Sequence, residues 1–558
     1  MSHSTIQLLL LVVTLCITHC TQERKWKIVQ TSQGPVRGYK TGEIYYFYGI
    51  PYATAPTGKR RFTAPLAGPV WITPLEAVNN KIICPQAKIQ VVQFPDFDMR
   101  ENCLVANIYT PETEEINLPV VVYVHGGSYQ IRVGVAWSPS ALVRTKKVIA
   151  VTFNYRLGAH GFLCLGTENA PGNAGIKDQI AVLQWVQRNI ANFGGNPKEV
   201  TIAGFSAGST AVDLLRLSEM TTGLYNKVIP ESGANLAAWS VQLDPVQNAK
   251  DYAKQLNFTN VEDMNSLEEF YTTLSFEAMM SDAFMERKDS TFMFSPCVDR
   301  DIGVEKFLDD TPLNLLKQGK YRKVPVLYGF TNMEGLFRML MFEEWKELMN
   351  EQFSDFLPAD LQFKDNEERE KVAQEIKKFY FGDKRVSEET IQGFIDYFTD
   401  VMFAYPHLRS VKLQVEAGSE SIYLYEYSFF SPIPDFVHVP EYMNITGAYH
   451  CAQTFSILVN TMDVNVDSDS DEYNKMKNIL VEIWVNFITT GKPVPEGSDL
   501  PSWPPVGANR SPYMDLGAEI KLEGSLLERR VLFWDDIYER FYRSPIPPSN
   551  TLSIRNEL

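Results

Sequence analysis

Residues 199–217, EVTIAGFSAGSTAVDLLRL, predict a strand, a tight turn and a helix in direct succession. Residues 199–203 are rich in β-branched and small apolar side chains, which is typical of a buried strand. The turn matches the pattern Gly-x-Ser-x-Gly at residues 204–208, and residues 207–217 have the composition of a helix. Such a turn presents the serine hydroxyl above the sheet, at the positive end of the helix. We therefore predict that Ser206 is a nucleophile.

Outward from this stretch, strand and helix patterns alternate, which predicts an α/β fold. We expect a large, mostly parallel central sheet with helices on both faces. Residues 245–320 and 340–415 are charged, aromatic and helical in pattern, so we expect them to form cap insertions. Residues 174–193 predict a helix that the pair Gly194-Gly195 ends. Further buried strands are predicted at residues 119–124, 148–153, 323–328 and 422–427.

The first 20 residues predict a signal peptide, because an apolar run at residues 8–17 is followed by small and then charged residues. That run is too short to span a bilayer, and we expect no membrane span elsewhere. We expect residues 21–545 to form one catalytic domain and residues 546–558 a tail. The chain is then secreted, or held in the endoplasmic reticulum if the final Arg555-Asn556-Glu557-Leu558 acts as a retention signal.

The charge of the chain argues against nucleic acid as a partner, because a net charge of −16 repels phosphate backbones. Cysteine and histidine spacings predict no metal site, and we expect no cofactor. Glycosylation is predicted at three sequons, Asn257, Asn444 and Asn509. The sequence leaves the oligomeric state open.

Five cysteines follow the predicted signal peptide, and an odd number leaves at least one thiol free. Cys84 and Cys103 form the best candidate disulfide, because they close a small loop. Whether Cys164, Cys297 or Cys451 pair stays open.

A serine hydroxyl needs a base, and the base needs a carboxylate that orients it. Glu334 follows a predicted strand end, and His450 follows a late turn of small residues. The order Ser206, Glu334, His450 is the order of nucleophile, acid and base in α/β-hydrolases. We predict that these three residues form the catalytic triad.

The reaction also needs N–H donors that stabilise a developing oxyanion. His125-Gly126-Gly127-Ser128 follows a predicted strand directly, as an oxyanion loop does. We predict an oxyanion hole at Gly126, Gly127, Ser128 and Ala207, and a structural role for His125.

Several stretches of this sequence resemble the type-B carboxylesterases, the carboxylesterase/cholinesterase family, and insect carboxylesterases most. The resemblance implies an α/β-hydrolase domain with an aromatic-lined gorge, donor amides at Gly127, Ser128 and Ala207 with Gly126 shaping the loop, and an acyl pocket at Trp239. It also supports the Cys84–Cys103 disulfide. The stretches are NYRLG at 154–158, ENAPGNAG at 168–175, CPQ at 84–86 and ENCL at 101–104.

The sequence departs from the family pattern near the catalytic residues. Phe205 stands where the family often has glutamate, and we expect it to line the substrate pocket. Ala452 and Gln453 replace acidic residues that usually follow the histidine, so a thinner polar network is expected under His450.

These features favour a hydrolase of neutral carboxylic esters that works through an acyl-serine intermediate on a small-molecule substrate. The candidate substrates are xenobiotic, dietary, and odorant or pheromone esters. A cholinesterase is disfavoured, because no tryptophan lies between Cys84 and Cys103 and Phe205 carries no charge. Two alternatives remain: a non-catalytic binding or adhesion protein on the same fold, and an enzyme similar to juvenile-hormone esterase, although that group typically has glutamine at the Phe205 position.

Overall fold

The computed structural model describes residues 25–87, 96–280, 286–430, 446–460 and 470–549. The predicted signal peptide, the sequon at Asn444, and the tetrapeptide at residues 555–558 lie outside these ranges. Asn257 and Asn509 lie within them, and both side chains are exposed.

A single large sheet organises the described part of the chain, and it contains 13 strands. Its strands, in chain order, are β1 (Trp26–Thr31), β2 (Gly34–Thr41), β3 (Ile44–Pro51), β4 (Leu75–Glu76), β5 (Val105–Pro111), β6 (Leu118–Val124), β7 (Ile149–Phe153), β8 (Gly195–Phe205), β9 (Lys227–Glu231), β10 (Val326–Thr331), β11 (Ile422–Tyr427), β12 (Tyr513–Leu516) and β13 (Ile520–Glu523).

The sheet is parallel in its catalytic half and antiparallel at both margins. Along the sheet the order is β1-β2-β3-β5-β7-β6-β8-β9-β10-β11-β12-β13, with β4 beside β2. Every neighbouring pair from β7 to β12 is parallel, whereas β1, β2, β3, β5 and β7 pair antiparallel, as do β12 and β13. The prediction of a mostly parallel sheet therefore holds for the half that carries the candidate catalytic residues.

Helices pack on both faces of the sheet, as predicted. In the described ranges the α-helices are α1 (Ser140–Arg144), α2 (Gly158–Phe162), α3 (Ala174–Asn189), α4 (Ala207–Leu215), α5 (Pro245–Gln255), α6 (Met264–Thr273), α7 (Pro312–Lys317), α8 (Phe342–Glu351), α9 (Asn366–Phe381), α10 (Ile391–Thr399), α11 (Tyr405–Glu416), α12 (Ala452–Ile457), α13 (Asp471–Thr490) and α14 (Glu528–Phe541).

Element boundaries differ from the sequence predictions where local chemistry intervenes. The strand predicted at residues 323–328 begins only at Val326, because Pro325 has no N–H to donate to a ladder. The helix predicted at residues 174–193 ends at Asn189 and continues as one 3₁₀ turn, which Gly194 stops with a φ of 94°. In the described part of the first cap insertion the α-helices are α5, α6 and α7, so this part is less helical than predicted.

Two disulfides cross-link the described chain. Cys84 pairs with Cys103, as predicted, and Cys164 pairs with Cys297 over a separation of 133 residues. Cys451 is the free thiol among the described cysteines, and it is buried. The second disulfide joins the loop before α3 to the first cap insertion, so it tethers the cap to the sheet.

Candidate active site

Ser206 lies at the junction of β8 and α4, at the carboxyl end of the parallel strands. Its backbone has φ 53° and ψ −123°, a conformation that ordinary residues avoid. Neighbouring backbone hydrogen bonds hold it there: the Ser206 N–H donates to the Glu231 carbonyl at 2.9 Å, and the Thr210 N–H donates to the Ser206 carbonyl at 3.1 Å. A strained backbone of this kind persists only where neighbouring contacts hold it in place, as they do at a nucleophile elbow.

Gly208 makes this elbow possible. A Cβ atom at residue 208 would lie 2.1 Å from the carbonyl oxygen of Val124 in β6. Only glycine lets the first turn of α4 pack this closely against the neighbouring strand.

Glu334 begins the 3₁₀ helix Glu334–Met341 directly after β10, and its side chain is fully buried. One carboxylate oxygen accepts the Thr331 N–H at 2.8 Å. The other contacts His450 Nδ1. Glu334 thus fixes the orientation of the His450 ring, as the acid of a triad does.

The loops that carry Glu334 and His450 are joined by backbone contacts. The Met333 N–H donates to the Ala448 carbonyl at 3.1 Å, and the Ala448 N–H donates to Asn332 Oδ1 at 2.8 Å. These bonds fix the position of the loop before His450 against the loop before Glu334.

Two aromatic rings contact His450. Phe403 lies 4.6 Å and Phe337 lies 5.1 Å from the His450 ring, measured between centroids. The remaining accessible side of the imidazole is narrow, since 12% of the side chain is exposed. The two rings therefore give His450 a largely apolar surrounding.

The other described histidines lack a carboxylate partner. Burial lowers the pKa of His125 to about 4, and its ring stacks on Tyr155 with centroids 4.4 Å apart. His160 is buried, and His407 accepts the Gly233 N–H. His438 lies outside the described residues. These contacts support the predicted structural role of His125 and leave His450 as the candidate base.

The predicted oxyanion loop follows β6 and lies against the nucleophile. A Cβ atom at Gly126 would lie 3.0 Å from Ser206 Cβ, so glycine permits the approach. Gly127 and Ser128 both have positive φ, 109° and 55°. Ala207 is the first residue of α4, and its N–H has no acceptor within the helix. The Gly126 approach places this loop against the nucleophile, and the Ala207 N–H is available as a donor.

The structure places the two predicted pocket residues in different surroundings. Phe205 is buried among Tyr123, Trp137 and Phe455, with ring centroids 5.8–6.2 Å apart. Trp239 donates its indole N–H to the Met402 carbonyl and contacts Phe403, which in turn contacts His450. Both residues are almost fully enclosed, at 4% and 1% exposure, so little of the surface of either is accessible.

Residues 25–534 match the model of the carboxylesterase family. The chain belongs to the carboxylesterase family. Esterase FE4 of Myzus persicae is 32% identical over 88% of this chain and 89% of its own length. A carboxylic ester hydrolase of Bombus ignitus is 31% identical, over 91% of this chain and 94% of its own. The chain is accordingly a carboxylic ester hydrolase.

The solved structures agree with the family assignment. The juvenile hormone esterase of Manduca sexta superposes with a TM-score of 0.82 at 28% identity, covering 92% of this chain and all of that one. This likeness, together with the sheet order, confirms the predicted α/β-hydrolase fold. In the described residues, no helix is long and apolar enough to cross a membrane.

Glu231 is a buried carboxyl group of this carboxylesterase that sequence reasoning missed. It ends β9, and its side chain accepts hydrogen bonds from Thr454 Oγ1 at 2.6 Å, from the Tyr425 hydroxyl at 2.5 Å and from Trp484 Nε1 at 3.3 Å. Its own carbonyl accepts the Ser206 N–H. Glu231 therefore links the nucleophile to α12, the helix that follows His450.

The thinner polar network under His450 that is expected from Ala452 and Gln453 stays a prediction, but the helix that carries these residues does make polar contacts. Gln453 donates to Ser232 Oγ at 3.1 Å, and Thr454 contacts Glu231. These two contacts join α12 to the end of β9. Glu231 lies in a stretch for which the sequence predicted no strand, and only the fold brings it into contact with α12.

Glu231→Gln is expected to change the pH profile of ester hydrolysis. Burial raises the pKa of Glu231 to about 7, so the group is neutral below that pH and negative above it. The negative form stabilises the imidazolium that forms when His450 accepts a proton. The other ionisable groups around Glu231 are Tyr123, Tyr425, Cys451 and Glu334; burial keeps the first three neutral.

On the acidic side, the plot of log kcat/KM against pH should therefore have a slope greater than one in wild type. In Glu231→Gln the slope should be one. The two rates should converge near pH 5.5 and differ by about tenfold above pH 8, which corresponds to a change of about 1 pKa unit. Thr454→Val is the matched control: it removes a hydrogen bond that lowers the pKa of Glu231, so the acidic side of the profile should move to higher pH. Identical profiles in all three proteins would assign Glu231 a purely structural role.

Proposed function

We propose that this carboxylesterase hydrolyses neutral carboxylic esters through an acyl-Ser206 intermediate. The contact between Glu334 and His450 is the observation that supports these roles, together with the strained turn that carries Ser206. Glu334 selects the tautomer of His450 in which Nδ1 carries the hydrogen, and Nε2 is then free to accept a proton.

The proposed reaction has two acyl-transfer steps. In the first, His450 takes the proton of the Ser206 hydroxyl while the oxygen attacks the ester carbonyl, and His450 then returns that proton to the departing alcohol. In the second, His450 activates a water molecule that attacks the acyl-serine and releases the acid. In both steps the amides of Gly127, Ser128 and Ala207 stabilise the oxyanion, and each such donor contributes about 10²–10³ in rate.

The side chains around Ser206 favour substrates that carry uncharged groups next to the ester bond. Phe205, Trp239 and the rings beside His450 are apolar, and no charged side chain replaces the glutamate that the family often has at the Phe205 position. Xenobiotic, dietary, and odorant or pheromone esters all fit this description. The structural likeness to the Manduca sexta juvenile hormone esterase favours a second candidate, a juvenile-hormone-like ester, although Phe205 departs from that group.

Secretion is part of the same proposal. Two disulfides suit an oxidising compartment. The exposed sequons Asn257 and Asn509 are accessible to glycosylation. We propose a single catalytic domain over residues 21–545, after removal of a signal peptide.

Covalent labelling tests the proposed nucleophile. Diethyl 4-nitrophenyl phosphate should add one diethylphosphoryl group to the intact protein, detected by mass spectrometry, and peptide mapping should place it on Ser206. Release of one equivalent of 4-nitrophenol should accompany the labelling. A protein that neither reacts nor hydrolyses 4-nitrophenyl acetate would favour the binding or adhesion alternative.

A further inference from the structure

Arg132 follows the oxyanion loop and has a backbone conformation that its side chain disfavours. Its φ is 96°, in the region where glycine is unstrained and other residues are not. The Gln86 side chain holds it there at both ends: the Arg132 N–H donates to Gln86 Oε1 at 2.7 Å, and Gln86 Nε2 donates to the Arg132 carbonyl at 2.9 Å. Gln86 is itself two residues from Cys84, in the disulfide-closed loop. Such strain at a functional site indicates a requirement for the side chain.

The Arg132 side chain extends from the oxyanion loop towards Trp137. Its Cγ lies 2.6 Å from the position that a Cβ of Gly127 would occupy, which places the stem against the oxyanion loop. Its guanidinium carbon lies 5.8 Å from the ring centroid of Trp137, which contacts Phe205. Its charge also acts on Cys451, the residue after His450. The guanidinium is therefore bordered by neighbours of the oxyanion loop, the nucleophile and the base.

In the part of the chain that the structure describes, no carboxylate forms an ion pair with this guanidinium. Other enclosed arginines do have such partners: Arg156 contacts Asp178 at 2.6 Å, Arg216 contacts Asp213 at 3.0 Å and Arg530 contacts Asp400 at 2.5 Å. Burial without a counter-charge lowers the pKa of Arg132 to about 10, but the group stays charged at neutral pH. Residue 132 as a whole is only partly buried.

We infer that Arg132 forms an anion-binding subsite beside the catalytic residues, which accepts the carboxylate of an acidic ester. This inference rests on the proposed function and extends it. The proposed substrates then include esters that carry one carboxylate on the alcohol or the acyl part, away from the ester bond that reacts. A guanidinium binds a carboxylate with two parallel N–H···O bonds, and enclosure strengthens both. The same positive charge disfavours cationic esters such as choline esters.

Two matched substrate pairs test the subsite. The first carries the acid on the alcohol side, 4-acetoxyphenylacetate against 4-acetoxyphenylacetamide. The second carries it on the acyl side, the mono-4-nitrophenyl ester of adipic acid against its primary amide. In wild type we expect kcat/KM to favour the acid in at least one pair by about tenfold or more, since a hydrogen bond to a charged group contributes about 1.5 kcal/mol or more. The pair that responds identifies the side on which the carboxylate lies.

Arg132→Gln and Arg132→Gly should each abolish that preference, and Arg188→Gln, which removes an exposed positive charge, should keep it. Arg132→Gly also separates binding from packing, because glycine relieves the positive φ. Its Tm should be unchanged or higher than that of wild type. An unchanged acid-to-amide ratio in the Arg132 variants, or a lower Tm for Arg132→Gly without a change in ratio, would overturn the inference in favour of a packing role.

Binding to the Ser206→Ala variant provides a readout that does not depend on turnover. By titration calorimetry, this variant should bind 4-acetoxyphenylacetate more tightly than the amide, and the added Arg132→Gln substitution should remove the difference. If wild type hydrolyses no ester but this binding difference is present, the proposed function fails while the subsite stands. If esters are hydrolysed and the difference is absent, only the subsite fails.

Discussion

Ser206→Ala is expected to lower kcat for 4-nitrophenyl butyrate by about 10⁵-fold, because the variant has no atom that can form the acyl intermediate. The residual rate should still exceed that of the buffer, since the oxyanion amides and the binding surface remain. The fold should be unaffected: alanine removes only the hydroxyl, and the backbone bonds to Glu231 and Thr210 persist.

Initial rates over a range of substrate concentrations measure this loss in kcat. The slow variant is assayed at a much higher enzyme concentration than wild type, with substrate still in excess. Ser32→Ala is a suitable control, because Ser32 is exposed and distant in sequence, and it should retain full activity. A Ser206→Ala rate within tenfold of wild type would assign the chemistry to another residue.

Glu334→Gln is expected to lower kcat by about 10⁴-fold with little change in KM. The amide of glutamine presents an N–H to His450 Nδ1 and favours the opposite tautomer, so Nε2 carries the hydrogen and cannot accept the serine proton. The carboxamide also cannot stabilise the imidazolium. Glutamine keeps the volume of a fully buried side chain, so misfolding is a small part of the effect.

The comparison with Glu231→Gln makes this prediction specific. Both residues are buried glutamates near His450, but Glu334 contacts the imidazole and Glu231 acts through α12. The first substitution should therefore cost about a thousandfold more than the second at pH 8. Glu344→Gln, on the exposed side of α8, is the surface control. Equal losses at positions 334 and 231 would contradict the assignment of the acid.

Local pattern predicted the parts of the site that depend on neighbours in sequence. The elbow at Ser206 and the loop at Gly126-Gly127 each follow a strand directly, and glycines mark where chains approach closely. Glu334 and His450 are 116 residues apart, and their pairing was predicted only from the order in which acids and bases occur in this fold.

Features that depend on packing between distant segments could not be predicted from the sequence. In the sequence Glu231 is one acidic residue among many, and its role depends on contacts with Tyr425 in β11 and Thr454 in α12. Arg132 reads as a loop cation until the clamp by Gln86 and the absence of a described carboxylate partner are known. The pairing of Cys164 with Cys297 joins segments 133 residues apart, and no local spacing indicates such a bond.

The Cys164–Cys297 bond also separates the candidate catalytic residues into two groups, one inside and one outside the loop that it closes. It closes a covalent ring of polypeptide that contains Ser206 and Glu231, whereas Glu334 and His450 belong to the open chain beyond Cys297. A protease cut inside the ring leaves both fragments joined. A cut just after the ring leaves nucleophile and base in separate molecules, held only by the sheet and by contacts such as that between Thr454 and Glu231. The same enzyme is thus covalently protected against nicking around its nucleophile and unprotected around its base.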